Sequence, residues 1–282
     1  MALTVSTNDG SLDARRNFLR STKKLGKTFE RLPSGLGLQR STDDSVGVSL
    51  TTGLAARVRD ANGAIRSTND AISSVQVAED ALVETFCALH KIRDLANHGG
   101  KNALVVETRA DMQKEINRII NEIQRISLQT QFNDQKVVNG SFARRKFQIG
   151  ADGKQTLVVT IQATSVVALG VNSANVKVYS TEGTTAQMQS MANGLVARVD
   201  SALDSISDIR ANLGIYQNRF SNIISNLSSI EASTKLAQSH IHDADMANET
   251  ASLTRNTILL HADMGISAQA NQQPQIAMQL LG

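Results

Sequence analysis

Apolar residues recur every three or four positions over most of this chain, the spacing that keeps one stripe on one side of a helix. From Leu54 the series runs Val58, Ala61, Ile65, Ile72, Val75, Leu82, Phe86 and Leu89, with Thr68 and Glu79 as interruptions. Alternating steps of four and three predict a long helix with a coiled-coil seam. Asp43 and Asp44 precede it, favouring its positive N-terminal end, and Gly99–Gly100 stops it. A second series, Met112, Ile116, Ile119, Ile123 and Ile126, predicts an antiparallel partner, followed by turn signals at Phe132–Asp134 and Asn139–Gly140.

Between residues 142 and 180 the period changes. Phe147 and Ile149, then Leu157, Val159 and Ile161, alternate with polar neighbours around Asp152–Gly153, which predicts a β-hairpin. Val176 and Val178 suggest a further short strand. The third helical series runs from Met188 through Met191, Leu195, Val199 and on to Ile230, with two consecutive steps of four around Leu195. At 1.5 Å per residue it predicts a helix about 65 Å long.

Both ends of the chain carry narrower seams. Leu12, Phe18, Leu25, Phe29, Leu32 and Leu36 mark the front; Met246, Leu253, Leu260 and Met264 mark the back. A helix with one stripe is marginal alone in water. These ends therefore need each other, or copies of themselves. The pattern as a whole predicts a mainly α chain, a long coiled-coil rod with a small β-hairpin element and paired N- and C-terminal segments. An inner terminal coiled-coil domain of residues 1–42 plus 240–282 and a rod of 43–239 are the expected parts.

Composition narrows the function. The 282 residues hold no Trp, two Pro and one Cys, with 3% aromatics. Few helix breakers permit long helices, and a single cysteine excludes an intrachain disulfide framework. A net charge of +3 reflects no basic tract, which argues against nucleic acid as a partner. No apolar run is long enough to insert in a membrane, and the N-terminus lacks the apolar core of a cleavable signal.

Candidate chemistry is sparse. His240, His242, Asp243 and Asp245 cluster in SHIHDAD, but histidines two apart diverge on a helix, and the reading is a solvated face with no metal. Cys87 and His90 lack an orienting third group. Arg144–Arg145–Lys146 reads as solvation or as contact with neighbouring copies. No phosphate loop, HExxH or GxSxG occurs, so no enzyme and no cofactor is expected.

Several segments resemble one family, bacterial flagellin. The start MALTVSTN, RLPSGLGLQRSTDDSVGVSL (31–50), STNDAIS and VAEDAL (67–82) and RISLQTQFNDQKVVNG (125–140) are similar to its N-terminal signature. RANLGIYQNRF (210–220), HIHDADMANETASLTRNTILL (240–260) and AQANQQPQIAMQLLG (268–282) are similar to its C-terminal one. The resemblance implies a secreted subunit that self-assembles into the extracellular filament of the bacterial flagellum for motility. The large variable outer domains are absent, since about residues 141–185 alone separate the signatures. It also implies type III export, an export chaperone, a filament cap protein and hook–filament junction proteins as partners. A host innate receptor recognises a patch similar to QRVRELA in related flagellins. Here that segment is HKIRDLA, with Lys91, Leu95 and Glu115 as the corresponding residues and Lys91 in place of an arginine. The chain departs from the pattern at Asp9–Gly10, Pro33, Gly37, His261 and Asp263. The expected packing seams are Leu25, Phe29 and Leu32 with Met246, Leu253, Leu260 and Met264. A hook–filament junction protein and a flagellin-like surface binding protein with a site in 141–185 are the alternative readings.

Overall fold

A computed structural model describes residues 8–101, 106–180 and 184–281. Among them are five helices: α1 (Asp9–Ser34), α2 (Ser45–Gly99), α3 (Val106–Gln129), α4 (Thr185–His242) and α5 (Met246–Leu281). Two antiparallel hairpins lie between α3 and α4: β1 (Gln131–Phe132) with β2 (Gln135–Lys136), and β3 (Arg145–Gln148) with β4 (Thr156–Val159). The MALTVST part of the N-terminal signature lies outside the described residues. The chain forms two compact units, Arg59–Glu231 and Met1–Val58 with Ala232–Gly282.

In the Arg59–Glu231 unit, α2 contributes to the core a heptad seam rich in small residues. On α2 the seam positions are Ala61, Ala64, Thr68, Ala71, Val75, Ala78, Leu82, Thr85, Leu89, Ile92 and Ala96, with Ser74, Ala81 and Ala88 buried beside them. Thr68 and Thr85 are seam members, because each donates its hydroxyl to a carbonyl one turn back, Ala64 and Ala81 respectively. That bond removes the desolvation cost of a buried hydroxyl. Ile65, Ile72 and Phe86 flank the seam, half-buried. On α4, Met191 is exposed and Ala192 is buried in its place. Reading Ala192 instead of Met191 restores alternating steps of four and three.

α2 and α4 run antiparallel within this unit. Asn62 Nδ2 donates to Glu231 Oε1 at 3.0 Å and Gln217 Nε2 donates to Glu79 Oε2 at 2.7 Å. Further along, Arg210 lies 5.8 Å over the Phe86 ring and Arg93 pairs with Asp200 at 2.7 Å. α2 ends at Gly99, as its glycine pair predicts. The buried Arg109 of α3 then donates to Gly99 O and Lys101 O at 3.1 and 2.8 Å, covering carbonyls left over at the α2 C-terminus.

The predicted hairpin is present as β3–β4, with Phe147 opposite Leu157. The β1–β2 hairpin was legible only as a turn. Asn133 and Asp134 both have positive φ, 49° and 60°, the two-residue turn that matches strand twist. Val176 and Val178 are buried but form no strand. The Gln113 side chain takes the place of a strand neighbour: its Nε2 donates to Val176 O at 3.0 Å and its Oε1 accepts from Val178 N at 2.7 Å.

In the other unit, Asn8 caps α1 by accepting from Ser11 N at 3.0 Å. Gly35, with φ 68°, ends α1 in the left-handed conformation, its N–H donating to Arg31 O. The chain beyond α1 is stitched to the α4–α5 junction. Gly37 N donates to His242 O at 2.7 Å and Ala244 N to Gly35 O at 2.9 Å. A side chain at Gly37 would press on the Asp243 carbonyl at 3.2 Å, which accounts for glycine there.

Candidate assembly interface

α1 and α5 pack together as an antiparallel pair. On α1 the seam positions Ser11, Ala14, Phe18, Ser21, Leu25, Thr28 and Leu32 are buried or half-buried, spaced by steps of three and four, with Arg31 half-buried beside Leu32. On α5 they include Leu253, Asn256, Leu260, Asp263, Ser267 and Ala270, again at heptad spacing. Polar atoms in the seam are matched. Ser21 Oγ donates to Asp263 Oδ2 at 2.6 Å, Ser11 Oγ to Asn271 Oδ1 at 2.7 Å, and Asn8 Nδ2 to Ala270 O at 2.8 Å.

The connection from α1 to α2 is held by charge. Lys27 Nζ lies 2.7 Å from Asp43 Oδ1 and Arg40 pairs with Glu30 at 2.9 Å. The hydrogen bond from Lys27, aided by the Lys27 and Arg31 charges, holds the Asp43 carboxyl below its usual 3.8. Asp44 caps α2, accepting from Val46 N at 3.0 Å.

The packing residues expected from sequence fall into two groups. Leu25, Leu32, Leu253 and Leu260 are half-buried in the seam between α1 and α5. Phe29, Met246 and Met264 are 56%, 47% and 43% exposed. Other apolar side chains share that exposure: Leu12 and Leu19 on α1, and Ile258, Leu259 and Ile266 on α5. The stripe pattern passed over Leu19, Ile258, Leu259 and Ile266. The signal for them was their position off a seam already complete without them.

Elsewhere, Lys91 is exposed on α2 and Leu95 half-buried, while Glu115 on α3 pairs with Arg118 at 3.4 Å. Within SHIHDAD the aspartates serve the backbone and a neighbouring serine. Asp245 accepts from Ala247 N and Asn248 N at the start of α5, and Asp243 accepts from Ser239 Oγ. Among the described residues no group of three or more His, Cys, Asp or Glu is placed to hold a metal ion. No helix among them is long and apolar enough to cross a membrane.

A seamed helical bundle in the Arg59–Glu231 unit, and in the other unit a helix pair with large apolar side chains outside its seam, define a protein of the long-helix, coiled-coil class. The family model for the bacterial flagellin N-terminal helical region matches residues 5–143, and that for the C-terminal helical region matches 196–281. Flagellin of Halalkalibacterium halodurans is 32% identical over 279 residues, 99% of this chain and 100% of that protein. Flagellin of Bacillus subtilis is 33% identical over 311 aligned positions, 99% of this chain and 100% of that protein. The crystal structure of Bacillus cereus flagellin is similar at a TM-score of 0.47 and 22% identity, over 57% of this chain and 88% of that one. This chain belongs to the bacterial flagellin family. It is a structural subunit of the flagellar filament, which forms by polymerisation of copies of itself.

Proposed function

We propose that the exposed apolar faces of α1 and α5 are the surfaces by which one subunit buries itself among its copies, within an inner layer of residues 1–42 and 240–282. The observation that carries this reading is the exposure of Leu12, Leu19, Phe29, Ile258, Met264 and Ile266 on helices whose mutual seam is already filled. Each half-exposed side chain of this size gains about 1 kcal/mol when covered. Large apolar side chains left exposed in such number on one helix pair mark surface that association can bury. Head-to-tail contacts between different patches generate an open helical array, the geometry a filament needs. Burial of these exposed faces is thereby coupled to polymerisation.

The same exposure suits secretion through a type III channel. A chaperone that covers the C-terminal helix before export would keep these side chains from premature association. A cap protein would guide insertion at the growing end, and hook–filament junction proteins would present matching seams at the base. For a host innate receptor, Lys91, Leu95 and Glu115 are the candidate contacts. Lys91 offers a point charge where an arginine offers a planar fork, and Glu115 is engaged by Arg118, so binding should be weaker than with an arginine at 91.

The test is removal of residues 243–282. The shortened chain should keep the circular dichroism of the Arg59–Glu231 helices and fail to elongate filament seeds. Filaments of normal morphology from it would refute the reading.

A further inference from the structure

Ser21 and Asp263 meet in the interior of the α1–α5 seam, both half-buried, with the serine hydroxyl donating to the carboxylate at 2.6 Å. The positions one seam step away are mostly apolar: Phe18 and Leu25 on α1, Leu260 on α5. A carboxylate at such a position weakens apolar burial and is tolerated only where a donor meets it. In coiled coils, a single polar pair at a core position fixes register and partner at some expense in stability.

The alternatives are unfavourable here for identifiable reasons. A slip by one heptad in one direction sets Asp263 level with Ala14, which has no donor. A slip the other way sets it level with Thr28, which is 3% exposed and whose hydroxyl already donates to Lys24 O at 3.2 Å. Parallel pairing of α5 with α5 of a second copy sets Asp263 against Asp263. Among the described residues, the other polar contacts of the pair are Asn8 to Ala270, part-buried, and Ser11 to Asn271, exposed, both at the N-terminal end of α1. Helix ends fray, so these contacts hold the register less firmly than one in the seam interior.

We propose that the Ser21–Asp263 hydrogen bond is a specificity device. It selects the intrachain antiparallel α1–α5 pairing in one register over heptad-slipped and homotypic pairings of the same two sticky helices. The inference concerns pairing inside one chain, and its test is separate from that of the exposed faces.

Cross-linking reads the register directly. A slip of one heptad displaces the helices by about 10 Å, whereas a disulfide needs Cα atoms within about 7 Å. In a full-length Cys87→Ser chain, Thr28→Cys with Asn256→Cys reports the native register, and Thr28→Cys with Glu249→Cys reports a slipped one. With Asp263 present, the first pair should form an intrachain disulfide and the second should not. Asp263→Leu completes the apolar seam, so the helices should remain paired. The native cross-link should then fall, and the slipped or an interchain cross-link should appear. Asp263→Asn retains an acceptor oxygen and should retain the native pattern. An unchanged native cross-link in Asp263→Leu would overturn the proposal. So would loss of every cross-link in that variant, since pairing itself would then depend on the aspartate, or a slipped pattern in Asp263→Asn.

Discussion

Gly99 is buried at the end of α2, where a Cβ would stand 2.2 Å from Val178 Cγ1. Helix propensity alone favours alanine there by about 1 kcal/mol. The clash with a fully buried valine is worth about 1–3 kcal/mol in the opposite direction, and it should win. Gly99→Ala is expected to lower the urea midpoint, and Val178→Ala, itself destabilising, should remove much of the added penalty in the double variant. Strict additivity of the two changes would contradict this packing. Asp43 makes the other residue-scale case. Its carboxyl is held below 3.8 chiefly by the hydrogen bond from Lys27, with the Lys27 and Arg31 charges adding and desolvation opposing. A depressed acid contributes stability that is present above the unfolded pKa and is lost as pH falls through the folded one. The α1–α2 connection should therefore loosen only below about pH 3.8. Carboxyl-detected NMR titration should show the Asp43 midpoint rising in Lys27→Met; an unmoved midpoint would exclude this pairing.

The helices show what sequence pattern reveals and what it hides. The long elements and the β3–β4 hairpin were legible because their apolar periods persist over many residues. Register was less so, because alanine and threonine carry the seam at Ala64, Thr68, Ala71, Thr85 and Ala192, and a search for large apolar residues steps past them. The roles of Gly37, noted only as a departure from the family pattern, and of Ser21 were not legible, since they depend on partners more than 200 residues away. The segment through Val176 and Val178 looked like a strand because its alternation is real; its partner is an amide side chain. Gln113→Leu leaves Val176 O and Val178 N without partners, at about 1–3 kcal/mol for each buried group. Hydrogen exchange at the Val178 amide should accelerate by more than tenfold, while the β3–β4 amides change little. Equal acceleration in both places would mean that Gln113 supports the whole unit and not this connection.

At the scale of the molecule, two kinds of apolar surface divide the work. The seams of α2, α3 and α4 are closed within the Arg59–Glu231 unit. The helices of the terminal unit close one seam between themselves and leave a second set of large apolar side chains exposed. Sequence pattern located the first seam on each terminal helix and merged the second into it, which is why Phe29, Met246 and Met264 were grouped with Leu25 and Leu260. Family membership supplies the filament; the exposed set supplies a physical reason for one subunit to hold another. Seeded elongation tests that reason most directly, with sedimentation and electron microscopy following the wild-type chain and a Phe29→Ser, Met264→Ser, Ile266→Ser variant. These positions lie outside the α1–α5 seam, so helical content should match between the two. The wild type should extend the seeds, and the variant should remain in the supernatant or require a markedly higher concentration. Equal elongation by both chains would contradict the claim that these side chains are buried by neighbouring copies.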